Sequence, residues 1–213
     1  MRSRLFWAEL IPETAQVSEQ APSEYRRDKL SRLKNERAYR EGLSAELLLN
    51  RAVRTVSPEA ALPLDIVAGE FGKPELRDGS IHFSLSHSGG RVLCALSDSP
   101  VGADIQRQTE ARLALASRFF TESEYRSLLN AGDKDYAFTR LWCLKESYIK
   151  MLGTGLNTPL SSFELSEGEG GLFCVAGDGR CLLRHWERDG YHMALCALSD
   201  EEPDRIEQLS LVF

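Results

Sequence analysis

At 213 residues, with 42 % hydrophobic and 27 % charged residues, the chain has the composition of a folded globular protein and not of a disordered one. Its 26 Lys and Arg are outnumbered by 32 Asp and Glu, a net charge of −6, which disfavours a general grip on nucleic acid by bulk positive charge. No apolar run approaches bilayer-spanning length, and Glu9 interrupts the apolar run behind the basic opening residues, so neither a membrane span nor a signal peptide is read.

Arg4–Leu10 reads as a first strand, followed by a polar loop over Thr14–Pro22. From Ser23 to Thr55 the leucines at 30, 33, 43, 47 and 48 recur at helical spacing, which predicts one long or two consecutive helices, basic in the first half and ended by Ser57-Pro58. Alternation at Ile81, Phe83 and Leu85 marks a half-buried strand, Gly89-Gly90 turns it into a second at Val92–Leu96, and a third follows at Val101–Ile105. Three strands so close in sequence predict an antiparallel meander.

Helices are expected at Ala111–Phe119, from Thr121, whose Glu124 sits at capping-box spacing, and over Tyr136–Leu152, stopped by Gly153-Thr154-Gly155. Strands return at Ser162–Leu165, Leu172–Val175, Cys181–Trp186, His192–Leu198 and Leu209–Phe213. The order predicts two α+β halves packed together, joined near residues 104–110. Cys94, Cys143, Cys174, Cys181 and Cys196 form no CxxC pair and have apolar neighbours, so they read as reduced core residues of a cytoplasmic protein.

Four places carry candidate chemistry. Trp142, Glu146 and Lys150 share one helix face; the Glu–Lys pair is either a solvated stabilising pair or part of a cleft. Ser86 and His87 at a Gly-rich turn suit an anion, although adjacent strand residues cannot easily form a nucleophile–base couple. Asp104, a carboxylate in an apolar strand, needs either donors or a hard cation such as Mg²⁺. A basic cluster over Arg26–Arg40, with Lys73, reads by itself as a solvated face.

Their order resembles the Sfp-type phosphopantetheinyl transferases: Gly72-Lys73-Pro74, Phe83-Ser84-Leu85-Ser86-His87-Ser88-Gly89, Gly102-Ala103-Asp104-Ile105, then Trp142-Cys143-Leu144-Lys145-Glu146-Ser147 through Lys150 and Gly153-Thr154-Gly155-Leu156. The resemblance implies an α+β monomer of two pseudo-symmetric halves, residues 1–104 and 105–213, each a small mostly antiparallel sheet with helices, the active site lying in the cleft between them. It further implies Mg²⁺-dependent transfer of the 4′-phosphopantetheine arm of coenzyme A to a serine of an apo acyl or peptidyl carrier protein, releasing adenosine 3′,5′-bisphosphate. Glu146 and Lys150 would be catalytic, with Asp104, Glu146 and Gln106 on the metal. Arg26, Lys29, Arg40, Lys73, Ser86, His87 and Lys150 would hold coenzyme A.

Gln106 stands where the fuller family pattern has a third acid, so altered metal affinity is expected there. The rival reading is a degenerate relative that binds coenzyme A or a carrier protein without efficient transfer. A Mg²⁺-dependent nucleotide hydrolase is a third, for which no water-positioning base is evident.

Overall fold

The computed structural model describes residues 3–13, 22–168, 172–175, 178–198 and 206–211, without the side chains of residues 156, 172–174 and 178–180. Most of the expected polar loop, Thr14–Pro22, therefore lies outside the described residues.

The elements in chain order are β1 (Arg4–Glu9), α1 (Glu24–Ser31), α2 (Glu36–Val56), β2 (Ile66–Ala68), β3 (Pro74–Leu76), β4 (His82–Ser88), β5 (Arg91–Ser97) and β6 (Gly102–Arg107). There follow α3 (Leu113–Phe119), α4 (Glu122–Asn130), α5 (Lys134–Leu152), two 3₁₀ turns, β7 (Leu165–Glu167), β8 (Leu172–Val175), β9 (Asp178–Arg188), β10 (Tyr191–Leu198) and β11 (Ile206–Gln208).

The basic region is two helices. Asn35 ends the break between them by accepting the Ala38 amide and capping α2. Thr121 and Glu124 form the expected capping box of α4, and Gly153, with φ of 74°, ends α5 in the left-handed conformation. The strand expected at Ser162–Leu165 begins only at its last residue, Leu165, with Ser162 in a 3₁₀ turn, and the last described strand is Ile206–Gln208, a few residues before the predicted one.

The strands make two larger sheets, ordered β11-β1-β5-β4 and β6-β10-β9-β8-β7, and a small β2-β3 hairpin that the sequence reading does not contain. Neighbours are antiparallel except β1 and β11, which run parallel. The predicted meander stops after β4 and β5. Instead of extending their sheet, β6 crosses to pair with β10, Asp104 opposite Ala194. The following chain builds the second sheet, and β11 returns to the first.

Alternation along these strands explains the layering. Phe6, Val92, Cys94 and Phe83 face Leu48, Ala52 and Val53 of α2 in one core. The alternate residues Leu5, Trp7, Leu93 and Ala95 meet Val101, Ala103, Ile105, Met193 and Leu195 in a second core between the sheets. On the far side, Cys143, Leu144, Tyr148 and Met151 of α5 pack on Leu183, Ala194 and Cys196. The result is helix, sheet, sheet, helix, with the two sheets joined by buried apolar surface.

Candidate active site

Two edge strands meet where the sheets abut: β4 of the first and β6 of the second. Ser84 Oγ accepts the Ala103 amide at 2.9 Å, one residue before Asp104, and ties them together. From the other side α5 comes down on Gly102, where a Cβ would lie 2.0 Å from the Ser147 carbonyl oxygen. No other residue type permits that approach. It brings the helix face bearing Glu146 and Lys150 over Asp104.

Asp104 is 2 % exposed. Its Oδ1 accepts from Lys150 Nζ at 2.6 Å and from Ser86 Oγ at 2.7 Å, and its Oδ2 accepts from Gln106 Nε2 at 2.9 Å. Lys150 Nζ also donates to Ser86 Oγ at 2.8 Å. These donors answer the desolvation of a carboxylate placed in an apolar strand. Glu146 is half-buried; burial, then the negative charge of Asp104, push its carboxyl above the usual range, against the pull of Lys150.

The neighbouring Lys145 points the opposite way and is fully buried. Its ammonium lies 2.7 Å from Glu124 and donates to the Phe163 carbonyl at 2.7 Å, while Glu124 accepts the Thr121 and Leu165 amides. Successive residues of one motif thus serve separate ends: Lys145 anchors α5 to α4 and to the chain after it, and Glu146 faces the cleft. Trp142, a turn earlier, packs among Phe119, Phe120 and Phe138.

The remaining candidates are placed unequally. His87 lies beside the cleft with Nδ1 3.3 Å from Glu41 Oε2. Burial holds its pKa below the ordinary value, with Lys150 and Arg26 adding to the effect and Glu41 and Asp104 opposing it. Arg26 is close enough to bias His87, but its Nε is held 3.0 Å from buried Glu46. Lys29 is exposed and lies over the Tyr25 ring at 4.4 Å. Arg40 is directed elsewhere, onto the Ile11 carbonyl at 2.9 Å and Glu13 at 2.7 Å. Lys73 donates to the Val101 carbonyl at 3.0 Å, and burial brings its pKa down to about 8.

Two hollows open from this centre. One of about 260 Å³ is lined by Phe71, Lys73, Leu85, Lys150 and Gly153. The other, about 350 Å³, lies on the Gln106 side and is lined by Arg107, Arg112, Leu115, Phe138 and Trp142. Their sizes fall about the lower end of the range for small-molecule sites.

Two acids that the sequence reading does not single out lie against the candidate residues, Glu41 beside His87 and Glu46 beside Arg26. In a basic helix they read as solvated charges. The available signal is Gly42, the one glycine in that region, whose missing side chain lets Leu30 of α1 approach: a Cβ there would lie 2.9 Å from Leu30 Cδ2.

A hard cation suits this donor set. Two carboxylates, Asp104 and Glu146, oppose each other electrostatically in a partly closed cleft, and Gln106 adds an amide whose oxygen can replace its nitrogen by a flip. Among the described residues no group of three or more His, Cys, Asp or Glu side chains is placed to hold a metal; Gln106 and Ser86 stand beside Asp104 as further oxygen-bearing groups.

The two-sheet α+β fold thus brings a cationic Lys, two acids and the Ser86-His87 turn together at its seam. The family model described as the 4′-phosphopantetheinyl transferase superfamily matches residues 100–196. The chain is 40 % identical over 149 residues to 4′-phosphopantetheinyl transferase Sfp of Bacillus subtilis, covering 66 % of each chain. It is 36 % identical over 181 residues to 4′-phosphopantetheinyl transferase psf-1 of Bacillus pumilus, covering 80 % of this chain and 76 % of that one. Among solved structures, the holo-[acyl-carrier-protein] synthase of Thermotoga maritima matches 46 % of this chain and 62 % of its own, at 30 % identity and a TM-score of 0.40. The chain belongs to the 4′-phosphopantetheinyl transferase superfamily and is an enzyme of that class. Among the described residues no helix is long and apolar enough to cross a membrane.

Proposed function

We propose that the protein, as a cytoplasmic monomer, transfers the 4′-phosphopantetheine arm of coenzyme A to a serine hydroxyl of an apo acyl or peptidyl carrier protein. The reaction would depend on Mg²⁺ and release adenosine 3′,5′-bisphosphate. The observation that carries this reading is the convergence of Lys150, Ser86 and Gln106 on buried Asp104, with the raised carboxyl of Glu146 beside them.

In this reading Asp104 and Glu146, with the Gln106 amide oxygen, would hold the cation. Bound there, Mg²⁺ would neutralise charge on the pyrophosphate and on the departing phosphate. Lys150 and Ser86 would exchange their mutual hydrogen bond for phosphate oxygens, since each already presents a donor into the cleft. Phosphoryl transfer is governed by positioning and electrostatics, and Lys150 supplies both where negative charge builds up on the leaving group. Glu146, beside Asp104 at the cleft, would also help activate the acceptor serine, directly or through a water.

Lys73, His87 and Arg26 would face the nucleotide phosphates from the first half, His87 most directly the 3′-phosphate. Lys29 would form an outer basic rim. Arg40 would have to leave Ile11 and Glu13 to take part. The hollow on the Gln106 side would receive the acceptor, its Arg107 and Arg112 suiting an acidic carrier. The degenerate-binder reading draws on one contact: Gln106 turns an amide donor, not a third carboxylate, toward Asp104.

Chromatographic measurement of adenosine 3′,5′-bisphosphate beside holo-carrier formation tests the proposal. Equal amounts of both, abolished by EDTA and restored by Mg²⁺, are expected. Nucleotide released without modified carrier would point to the hydrolase.

A further inference from the structure

Ser86 and Asp104 belong to different sheets, yet their spacing is that of a 2.7 Å hydrogen bond. That bond cannot set the spacing during catalysis, because ligands must displace it under the reading above, on which this inference rests. Ser84 ties β4 to β6 at Ala103, on one side of Ser86, and a second hold is needed at the turn end of β4.

The turn that follows Ser86 and His87 is gripped by the second half. Tyr191, the first residue of β10, donates its hydroxyl to the Gly89 carbonyl at 2.6 Å. Arg91, just past the turn, has its guanidinium 4.3 Å from the Tyr191 ring centroid and 4.5 Å from that of Trp7, so the cation touches a ring from each sheet. Its Nη2 also lies 3.0 Å from Asp189 Oδ2. Ser88 Oγ accepts the Arg107 amide at 3.0 Å. Gly89 has φ of +60°, and a Cβ there would lie 2.8 Å from Arg107 Cβ and 3.0 Å from Tyr191 Oη. Only glycine fits between the two halves at this point.

The register gives the clamp its consequence. Tyr191 pairs with Arg107 at one end of β6, and the same β10 ladder places Ala194 opposite Asp104 three residues along. Gly89, which Tyr191 grips, stands three residues after Ser86. One hydroxyl therefore links the strand carrying Asp104 to the strand carrying Ser86 and His87, by a short and nearly rigid path on each side. Neither Tyr191 nor Arg91 lines the hollow beside Lys73 and Lys150.

We propose that Tyr191, with Arg91, is a positioning residue for transfer: it fixes the β4–β5 turn, and through it Ser86 and His87, relative to Asp104. It touches neither cation nor substrate and acts through the spacing alone.

The test compares the full-length protein with Tyr191→Phe and Arg91→Lys, by calorimetric coenzyme A binding, steady-state kinetics and hydrogen exchange. Tyr191→Phe keeps the ring over Arg91 and removes one hydrogen bond. The affinity for coenzyme A should weaken about threefold to tenfold. The KM for coenzyme A should rise accordingly. Amides 86–90 should exchange several-fold faster while those of α2 and α5 keep their rates. Arg91→Lys, which retains charge but loses the planar stack, should act in the same direction.

Unchanged coenzyme A affinity and unchanged exchange at 86–90 in both variants would overturn the proposal. So would faster exchange throughout both variants, because the residues would then be general supports. If the wild-type protein binds no coenzyme A, the proposed function fails, and the local exchange pattern still decides whether the clamp exists.

Discussion

Lys150 Nζ lies 2.6 Å from Asp104 Oδ1, although one belongs to α5 and the other to a strand 46 residues earlier. The pair is unequal, for the Asp104 side chain is 2 % exposed and that of Lys150 29 %. The lysine therefore both compensates a buried charge and remains within reach of a ligand.

Removing that ammonium should act on activity and on stability together. Lys150→Ala is expected to lower transfer by at least about 100-fold, the scale of removing a preorganised donor from a developing charge. It should also leave Asp104 short of its strongest donor and destabilise the fold by roughly 1–2 kcal/mol, less than for a fully buried pair because Lys150 is partly solvated. Single-turnover assays and a melting curve check both. Wild-type rates would remove Lys150 from the mechanism.

Glu146→Gln should lose activity yet gain stability. A carboxyl whose folded-state pKa is raised binds its proton more tightly in the folded than in the unfolded chain, so stability falls as pH climbs from the usual Glu value through the raised folded value. Without Mg²⁺, the wild-type Tm should therefore decline over that window more than that of Glu146→Gln. Near neutral pH the variant should melt higher, each 1 kcal/mol counting for about 2–4 °C in a chain of this size. Parallel slopes would contradict the electrostatic role given to Glu146.

Gln106→Glu should exchange apo stability for metal affinity. A third carboxylate beside Asp104 adds repulsion when no cation is present and supplies a stronger ligand when one is. The melting point of the variant should start lower in EDTA and rise further than wild type on Mg²⁺ titration. Identical titrations would place Gln106 away from the cation.

The buried Lys145–Glu124 pair makes a separate prediction. Lys145→Met leaves Glu124 buried with backbone donors but no cation, which should cost about 3–5 kcal/mol. Adding Glu124→Gln should recover part of that loss, a coupling that a double-mutant cycle measures directly. Additive effects would mean that the two charges do not support each other.

The motif residues were legible in the sequence because each carries a local signature. Alternation placed Ser84 and Ser86 on one face of β4, helical spacing put Glu146 and Lys150 together, and the capping box located α4. The path of β6 was not legible, because the short link at residues 98–101 looks like a hairpin loop. What sends β6 away is long-range: Val101, Ala103 and Ile105 fill the core between the sheets, while Gly102 receives α5. The contacts of Arg40 are equally long-range. Its partners, Ile11 and Glu13, come from the segment after β1, which no helical spacing reveals.

Intact-mass spectrometry of an apo carrier protein incubated with this enzyme, coenzyme A and Mg²⁺ tests the central claim most directly, with a carrier whose acceptor serine is replaced by alanine as control. The account predicts a gain of one phosphopantetheine arm on the serine-bearing carrier, none on the alanine variant and none in EDTA. Unmodified acyl and peptidyl carriers, in a sample shown to bind coenzyme A, would contradict it.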